Sequence, residues 1–315
     1  MNALQPRLKW LANITTIGML LVLLGGALVT KTESGDGCGA SWPLCKGKWI
    51  PDEITPQLVI EFSHRAVSGI VGILVLLLAY WSWKQIGHIR ETKFLAVVSV
   101  LFLVLQSLIG AARVIWGQSD YILAAHFGIS LISFSAVLLL AILIHEIDKK
   151  FAADRLILDG FMKKNTVAVS VYAFFVVYTG ALVRHTGASM ICSGWPLCRG
   201  RLEFPGNLFE WVQMGHRFAA GLLYLWIFAI MLYGIRRYKD KPVIYYGWII
   251  AFLLASLQVL SGALIIFTKL NLFIALMHAL FISCLFGLIT YFLLLVYRSR
   301  LNEMKNAGPT VNLSR

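Results

Sequence analysis

The sequence predicts an all-α polytopic membrane protein whose eight transmembrane helices form two tandem four-helix bundles related by a pseudo-twofold axis. Three observations predict this class. Hydrophobic residues make up 59% of the 315 residues and charged residues only 14%, which is too apolar for an ordinary soluble domain. The apolar residues form eight runs, each long enough to cross a ~30 Å hydrocarbon core as a helix of about 20 residues. The last four runs repeat motifs of the first four.

The eight predicted spans are separated by loops that are alternately rich and poor in Lys and Arg. The spans cover residues 11–29, 63–83, 94–116, 122–144, 166–183, 212–233, 243–267 and 272–297. Lys and Arg concentrate at the two ends of the chain and in the loops around residues 84–93, 149–164 and 236–241. Because cytoplasmic loops collect Lys and Arg, both termini are predicted to be cytoplasmic, and the loops before the second and sixth spans to face outward. This distribution accounts for the net charge of +13 without a nucleic-acid partner.

An internal repeat divides the chain. Gly-Ala-Leu-Val at residues 26–29 recurs at 180–183, Trp-Pro-Leu-Cys at 42–45 recurs at 195–198, and the Gln…Gly-Ala segment at 106–111 recurs at 258–263. The repeat predicts an N-terminal half of residues 1–150 and a C-terminal half of residues 151–315. Because each half has four spans, the second half enters the membrane in the same orientation as the first, so the repeats are parallel.

Four histidines lie at corresponding positions of the two halves. His64 and His126 fall in the first turns of the second and fourth spans, and His216 and His278 in those of the sixth and eighth. An ionisable side chain within a span is uncommon and usually marks function. Paired histidines on facing helices can bind a transition metal or ligate a haem. A zinc site normally requires three or four protein ligands, whereas each half offers two histidines, so a flat iron-bearing macrocycle ligated from both sides fits better.

Charged residues surround the first histidine of each half. Arg65 and Arg217 each follow a histidine and are candidate contacts for haem propionates, although a guanidinium at a helix end can instead reach lipid headgroups. Glu61 precedes His64 by three residues, which places both on one face of a helix that begins early enough. A carboxylate beside a ligated ring can act as a general base or stabilise developing positive charge. Gln213 occupies the corresponding position of the second half and cannot transfer protons in this way.

Two pairs of cysteines lie in the outward loops, Cys38 with Cys45 and Cys192 with Cys198. Because the outer compartment is oxidising, each pair is expected to form a disulfide that stabilises its loop. A dithiol that passes electrons is an alternative for the first pair.

In these features taken together, the chain resembles haem A synthases of the Bacillus type. The resemblance rests on the eight spans, the two histidine pairs, the Glu-Phe-Ser-His-Arg motif at residues 61–65 and the paired cysteine loops. It extends from about residue 11 to residue 297. It implies an oxidoreductase that converts the C8 methyl group of haem O to a formyl group, which gives haem A for terminal cytochrome oxidases.

The resemblance also implies roles for individual residues. His64 and His126 correspond to the ligands of the substrate haem, and Glu61 to the catalytic carboxylate. His216 and His278 correspond to the axial ligands of the iron of a haem b cofactor. The two cysteine pairs correspond to the loop disulfides of the family.

The resemblance and the predicted topology together imply a location and partners. The expected location is a bacterial cell membrane, with the haem sites toward the outer face. The expected partners are haem O, membrane lipid, an electron acceptor such as a quinone, and haem O synthase, the protohaem farnesyltransferase.

Two other functions are compatible with paired histidines. One is a dihaem b-type electron carrier or quinol oxidoreductase, and the other is a haem-handling transporter without catalysis. The presence of an acid at Glu61 and its absence at Gln213 argue against the carrier, since a pure relay has no evident need for one acid.

Overall fold

The computed structural model describes residues 6–52, 54–117, 119–151, 153–200 and 203–306. The predicted halves include the two ends of the chain, residues 1–5 and 307–315, which lie outside the described residues. Eight helices in the described ranges are long and apolar enough to cross a membrane. They are α1 (Pro6–Lys31), α2 (Pro56–Ile86), α3 (Arg90–Trp116), α4 (Asp120–Ile144), α5 (Gly160–His185), α6 (Leu208–Arg237), α7 (Pro242–Phe267) and α8 (Leu272–Asn306). The predicted all-α membrane fold class is confirmed.

Several helices begin before the apolar runs that predicted them. α2 begins at Pro56, where the Thr55 hydroxyl accepts a 3.2 Å hydrogen bond from the Leu58 N–H and caps the helix. The first turns of α2 contain polar residues, yet Leu58 and Glu61 are buried. Because α2 and α6 start early, His64 and His216 lie in the third turns of their helices, deeper than predicted. His126 and His278 lie in the second turns of α4 and α8.

The first four helices and the last four make the same pattern of contacts, and each set is called a group here; their division into two bundles stays a prediction. In the first group α1 contacts α2 and α4, and α3 contacts the same two helices; α5 to α8 repeat this pattern. The groups meet through α1 and α4 on one side and α5 and α8 on the other. In the most apolar 18-residue stretch of each helix, 72% of the residues of α4 and 67% of those of α8 are buried inside the protein. In the other six helices the share is 28–39%. These two helices therefore lie at the centre. The pseudo-twofold relation between the groups stays a prediction.

Polar contacts secure the ends of the helices that lie away from the histidines. Asp159 caps α5, because its carboxylate accepts hydrogen bonds from the Met162 N–H at 2.8 Å and from the hydroxyls of Tyr233 at 2.7 Å and Tyr238 at 2.9 Å. Burial by itself would raise the pKa of Asp159, but these hydrogen bonds outweigh it and hold the pKa below its ordinary value.

An ion pair connects the two groups of helices at the same end. Arg298 of α8 donates from Nε to Oε1 of Glu91 at the start of α3, over 3.0 Å. The side chains are 12% and 8% exposed. This contact therefore ties the two halves together away from the histidines.

Candidate functional site

All four predicted histidines line one cavity of about 1740 Å³. Typical sites for one small ligand measure roughly 300–1,000 Å³, so this cavity has room for two. Helices of both halves form its walls. The Trp-Pro segments at residues 42–43 and 195–196, in the two loops that carry the cysteine pairs, line it as well. The structure thus brings the two predicted sites into one space.

Each histidine ring packs close to a glycine of a neighbouring helix. A Cβ atom on Gly180 would lie 2.8 Å from His216 Cε1, and one on Gly25 would lie 2.9 Å from His64 Nδ1. The corresponding distances are 3.2 Å for Gly262 with His278 Cε1 and 3.8 Å for Gly110 with His126 Cε1. Any larger side chain at residues 25 and 180 would displace the imidazole. Gly25 and Gly180 therefore allow the close approach of the His64 and His216 rings.

In the second half, hydroxyl groups contact both imidazole rings. Thr179 Oγ1 lies 3.0 Å from His216 Nδ1, and Ser261 Oγ lies 2.9 Å from His278 Nδ1. The amide nitrogen of Gln258 lies 2.9 Å from Nε2, the other ring nitrogen of His278. Neither hydroxyl was singled out by the sequence. Ser261 lies within the repeated Gln…Gly-Ala segment, and Thr179 directly precedes the repeated Gly-Ala-Leu-Val. Their positions in or beside these motifs were the sequence signal that could have identified the two hydroxyls.

The imidazole rings of the first half lack such contacts. The Nδ1 atoms of His64 and His126 are buried without a hydrogen-bond partner among the described residues. Histidines that bind metals almost always donate their second ring N–H to a neighbour. The two pairs are therefore prepared differently for a ligand.

Glu61 lines the cavity and is only 3% exposed. Its Oε2 accepts a 2.7 Å hydrogen bond from the Cys38 N–H, and its Oε1 accepts from Arg65 Nη2 at 2.5 Å and Nε at 3.1 Å. Arg65 also donates from Nη1 to the carbonyls of Ser41 at 2.7 Å and Leu44 at 2.9 Å. Glu61 thus faces the cavity and also anchors the cysteine loop of the first half, a role that sequence reasoning missed.

Gln213 anchors the cysteine loop of the second half in the same manner. Its Oε1 accepts a 2.8 Å hydrogen bond from the Cys192 N–H, and its Nε2 donates to the Ser189 carbonyl over 2.7 Å. Arg217 donates from Nη1 to the Gly194 carbonyl over 2.7 Å. Its Nη2 is buried, and no hydrogen-bond partner for this atom occurs among the described residues. Arg217, unlike Arg65, therefore keeps part of its guanidinium for another group.

The predicted loop disulfides are confirmed. Cys38 is bonded to Cys45 and Cys192 to Cys198. Electron transfer by the first pair stays a hypothesis.

Charges are distributed unevenly over the cavity wall. The carboxylates that line it in the described part of the chain all belong to the first half, and they are Glu33, Asp36, Glu61 and Asp120. Cations come from both halves, namely Lys31, Arg65 and Arg113 from the first and Arg184 and Arg217 from the second. Arg184 of the second half lies 3.9 Å from Glu33 of the first. His185, which the sequence placed outside its span, is the last residue of α5 and also lines the cavity. The second half thus supplies a positive wall.

The sequence matches the COX15-CtaA family, described as cytochrome oxidase assembly protein, over residues 9–290. It is 60% identical over 304 residues to a protein named heme A synthase from Geobacillus kaustophilus strain HTA426, with 96% of each chain covered. It is 59% identical over 308 residues to the heme A synthase of Geobacillus thermodenitrificans, covering 98% of this chain and 97% of that one. With the heme A synthase of Lysinibacillus sphaericus strain C3-41 it shares 56% identity over 298 residues, covering 94% and 97%.

Proposed function

This chain belongs to the COX15-CtaA family of cytochrome oxidase assembly proteins, and we propose that it is a membrane-embedded haem A synthase that converts haem O to haem A. The observation that carries this proposal is that two histidine pairs, one with a carboxylate beside it and one without, line a single cavity. The reaction proposed is oxidation of the C8 methyl group of haem O to a formyl group.

His216 and His278 are proposed to hold a haem b cofactor through its iron. The glycine beside each ring, the hydrogen bonds to Nδ1 and the size of the cavity fit a flat ring ligated from both sides. When bound, haem b supplies a one-electron redox centre. Arg217 is the better candidate for a propionate contact because Arg65 is already paired with Glu61.

His64 and His126 are proposed to ligate the substrate haem. Their buried Nδ1 atoms make no hydrogen bond in the described part of the protein, so ring rotation breaks none when substrate enters or product leaves. This property suits a haem that must be exchanged in each catalytic cycle.

Glu61 is proposed to serve the oxidation itself. With water as the oxygen donor, conversion of a methyl to a formyl group removes four electrons and releases four protons. The Glu61 carboxylate lines the cavity and is held in one orientation by the Cys38 N–H and Arg65. From there it can accept protons or stabilise positive charge that develops at the methyl-bearing edge of the substrate. The electrons are proposed to leave to an acceptor such as a membrane quinone.

The orientation in the membrane and the supply of substrate also belong to the proposal. The excess of Lys and Arg in the loops away from the histidines supports cytoplasmic termini. The disulfides in the loops that adjoin the histidines support an outward position of the haem sites. Haem O is expected to come from haem O synthase, the protohaem farnesyltransferase.

Haem analysis of the purified protein tests this function. The protein is produced in cells that make haem O, and the extracted haems are separated by chromatography and identified by mass. We expect haem b together with haem O, haem A or a hydroxylated intermediate. Haem b alone, at two per chain, would support the electron carrier instead, and a protein without haem would refute the assignment of the histidines.

A further inference from the structure

The contacts of the Thr179 hydroxyl indicate which nitrogen of His216 carries hydrogen. A hydroxyl has one hydrogen to donate, and Thr179 Oγ1 donates it to the Val176 carbonyl over 2.8 Å. In the 3.0 Å contact with His216 Nδ1, Oγ1 must therefore accept, so Nδ1 carries the hydrogen. The lone pair of this neutral ring is then on Nε2, the atom available to a metal.

The same argument holds independently for His278. Ser261 Oγ donates its hydrogen to the Gln258 carbonyl over 3.0 Å, so it accepts from His278 Nδ1–H over 2.9 Å. The side-chain amide of Gln258 supports this tautomer because it donates to His278 Nε2, which must then carry the lone pair. Both histidines of the second half thus have one defined tautomer.

The first half has no hydroxyl at either of the corresponding positions. In the repeated Gly-Ala-Leu-Val motif, the residue that corresponds to Thr179 is Gly25, and in the repeated Gln…Gly-Ala segment the residue that corresponds to Ser261 is Ile109. Neither side chain can hydrogen bond, which agrees with the buried Nδ1 atoms of His64 and His126 that have no partner among the described residues. The difference between the two pairs is therefore encoded at two positions of the repeat.

We propose that Thr179 and Ser261 are positioning residues that make the second histidine pair a permanent haem site, whereas Gly25 and Ile109 leave the first pair able to release its haem. This inference rests on the proposed function and deepens it by identifying what separates the resident haem from the haem that is exchanged. A ring whose tautomer is already set needs no proton rearrangement to bind iron, although the Gln258 amide must first leave His278 Nε2. Donation of Nδ1–H to a hydroxyl also makes Nε2 a stronger donor, which favours ferric iron.

Isosteric variants of Thr179 in the purified holoprotein test the inference. Thr179→Val keeps the shape and removes the hydroxyl, Thr179→Ser restores the hydroxyl, and Ser261→Ala removes the second contact. Thr290→Val is the matched control, because the Thr290 hydroxyl also donates to a carbonyl of its own helix, that of Phe286 at 2.8 Å, and Thr290 does not line the cavity. The readouts are the rate at which haem b passes to excess apomyoglobin and the midpoint potential of haem b in a redox titration.

Loss of either hydroxyl should accelerate haem b release by roughly 10- to 100-fold, the usual effect of removing a partner of a metal-bound histidine. The midpoint potential should rise, because the weaker donor no longer favours ferric iron. Thr179→Ser and Thr290→Val should stay close to the wild type. A Thr179→Val protein with wild-type release and potential overturns the proposal, and so does a Thr179→Ser protein that behaves like Thr179→Val.

If Thr179→Val assembles without haem b, a variant that adds a hydroxyl to the first half tests the proposal instead. Ile109→Ser introduces a hydroxyl at the position that corresponds to Ser261, next to Gly110, which packs against the His126 ring. We expect release of haem O or haem A from the first half to slow severalfold, and unchanged release would overturn the proposal. A wild-type protein without haem b would instead refute the proposed function, so the two failures can be told apart.

Discussion

Glu61 and Gln213 fill the same structural role with different charges. Each accepts the backbone N–H of the first cysteine of its loop, and each lies four residues before an arginine that binds loop carbonyls. A glutamine at position 61 can therefore keep the loop in place while it removes the charge. Position 61 can be tested for chemistry separately from folding.

Glu61→Gln should reduce conversion of haem O to haem A by about 10²- to 10⁴-fold, the range typical of losing a general acid or base. The midpoint of thermal unfolding should fall, because the buried Arg65 loses its carboxylate partner. The loop should stay anchored, because glutamine can still accept the Cys38 N–H. Conversion is measured by chromatography of extracted haems.

Glu210→Gln is the matched control for this substitution. Glu210 is 5% exposed and lies 2.7 Å from Arg199, but it does not line the cavity. Its loss should leave conversion unchanged. Conversion at the wild-type rate in the Glu61→Gln protein would show that Glu61 takes no part in the reaction.

The sequence singled out the four histidines but not the residues that contact their rings. His126 and His278 stand out because ionisable side chains are rare within apolar spans. Thr179 and Ser261 do not, because hydroxyls in membrane helices commonly bind a carbonyl of their own helix. The anchoring role of Glu61 was hidden as well, since its partner N–H lies 23 residues away in an irregular loop.

At the scale of the helix, hydrophobicity predicted the existence of all eight spans but not where they begin. α7 begins at Pro242, one residue before its apolar run, whereas α2 begins seven residues early at Pro56. Apolar patterns are insensitive to polar first turns that are capped and partly buried. The capping residues Thr55, Asp159 and Asn207 were the local signal for these early starts.

Asp159→Ala should lower the free energy of unfolding by about 1–2 kcal/mol at neutral pH, because α5 loses its N-cap and two tyrosines lose their acceptor. The folded-state pKa of Asp159 lies below its ordinary value. Its contribution is therefore complete above the unfolded pKa of about 3.9 and is lost as the pH falls through the folded pKa. The stability difference from the wild type should narrow on acidification, as measured by thermal unfolding in detergent at pH 7 and below pH 3.

Asn207→Ala provides the control for this pH dependence. Asn207 caps α6 with a neutral amide that accepts a 3.0 Å hydrogen bond from the Glu210 N–H. Its substitution should cost a similar free energy by loss of the cap without the titration of a capping carboxylate. An Asp159→Ala deficit that is as large at low pH as at pH 7 would contradict the role of the charged cap.

For the whole molecule, the positions of α4 and α8 explain why the two histidine pairs share one cavity. His126 lies on α4 and His278 on α8, and these helices are the most buried and contact each other across the interface between the halves. Each pair therefore includes one histidine on a central helix. This arrangement could not be predicted from the repeat, which relates the halves but does not say which faces meet.

Removal of the buried ion pair between the halves should reduce stability without affecting the haem site. Arg298→Ala removes the ion-pair partner that lies 3.0 Å from the buried Glu91 carboxylate and leaves Arg90 Nη2 at 3.4 Å. We expect a loss of about 3 kcal/mol in the free energy of unfolding. The absorption spectrum of haem b should be unchanged, because the histidines lie near the other ends of their helices.

Lys48→Ala is the exposed counterpart. Lys48 and Asp52 are 56% and 72% exposed, so their ion pair should contribute less than about 1 kcal/mol. Equal effects of the two substitutions on unfolding, or a shifted haem b spectrum in Arg298→Ala, would contradict the assigned role of Arg298.

The equivalence of positions 61 and 213 has a genetic consequence. The codons for glutamate and glutamine differ in a single base, and either residue can accept the backbone N–H that anchors its loop. A duplicated gene with two identical halves therefore lies one point mutation from a chain with one acidic and one neutral site. No intermediate with a collapsed loop needs to be crossed, so division of labour between the halves is readily reached by mutation.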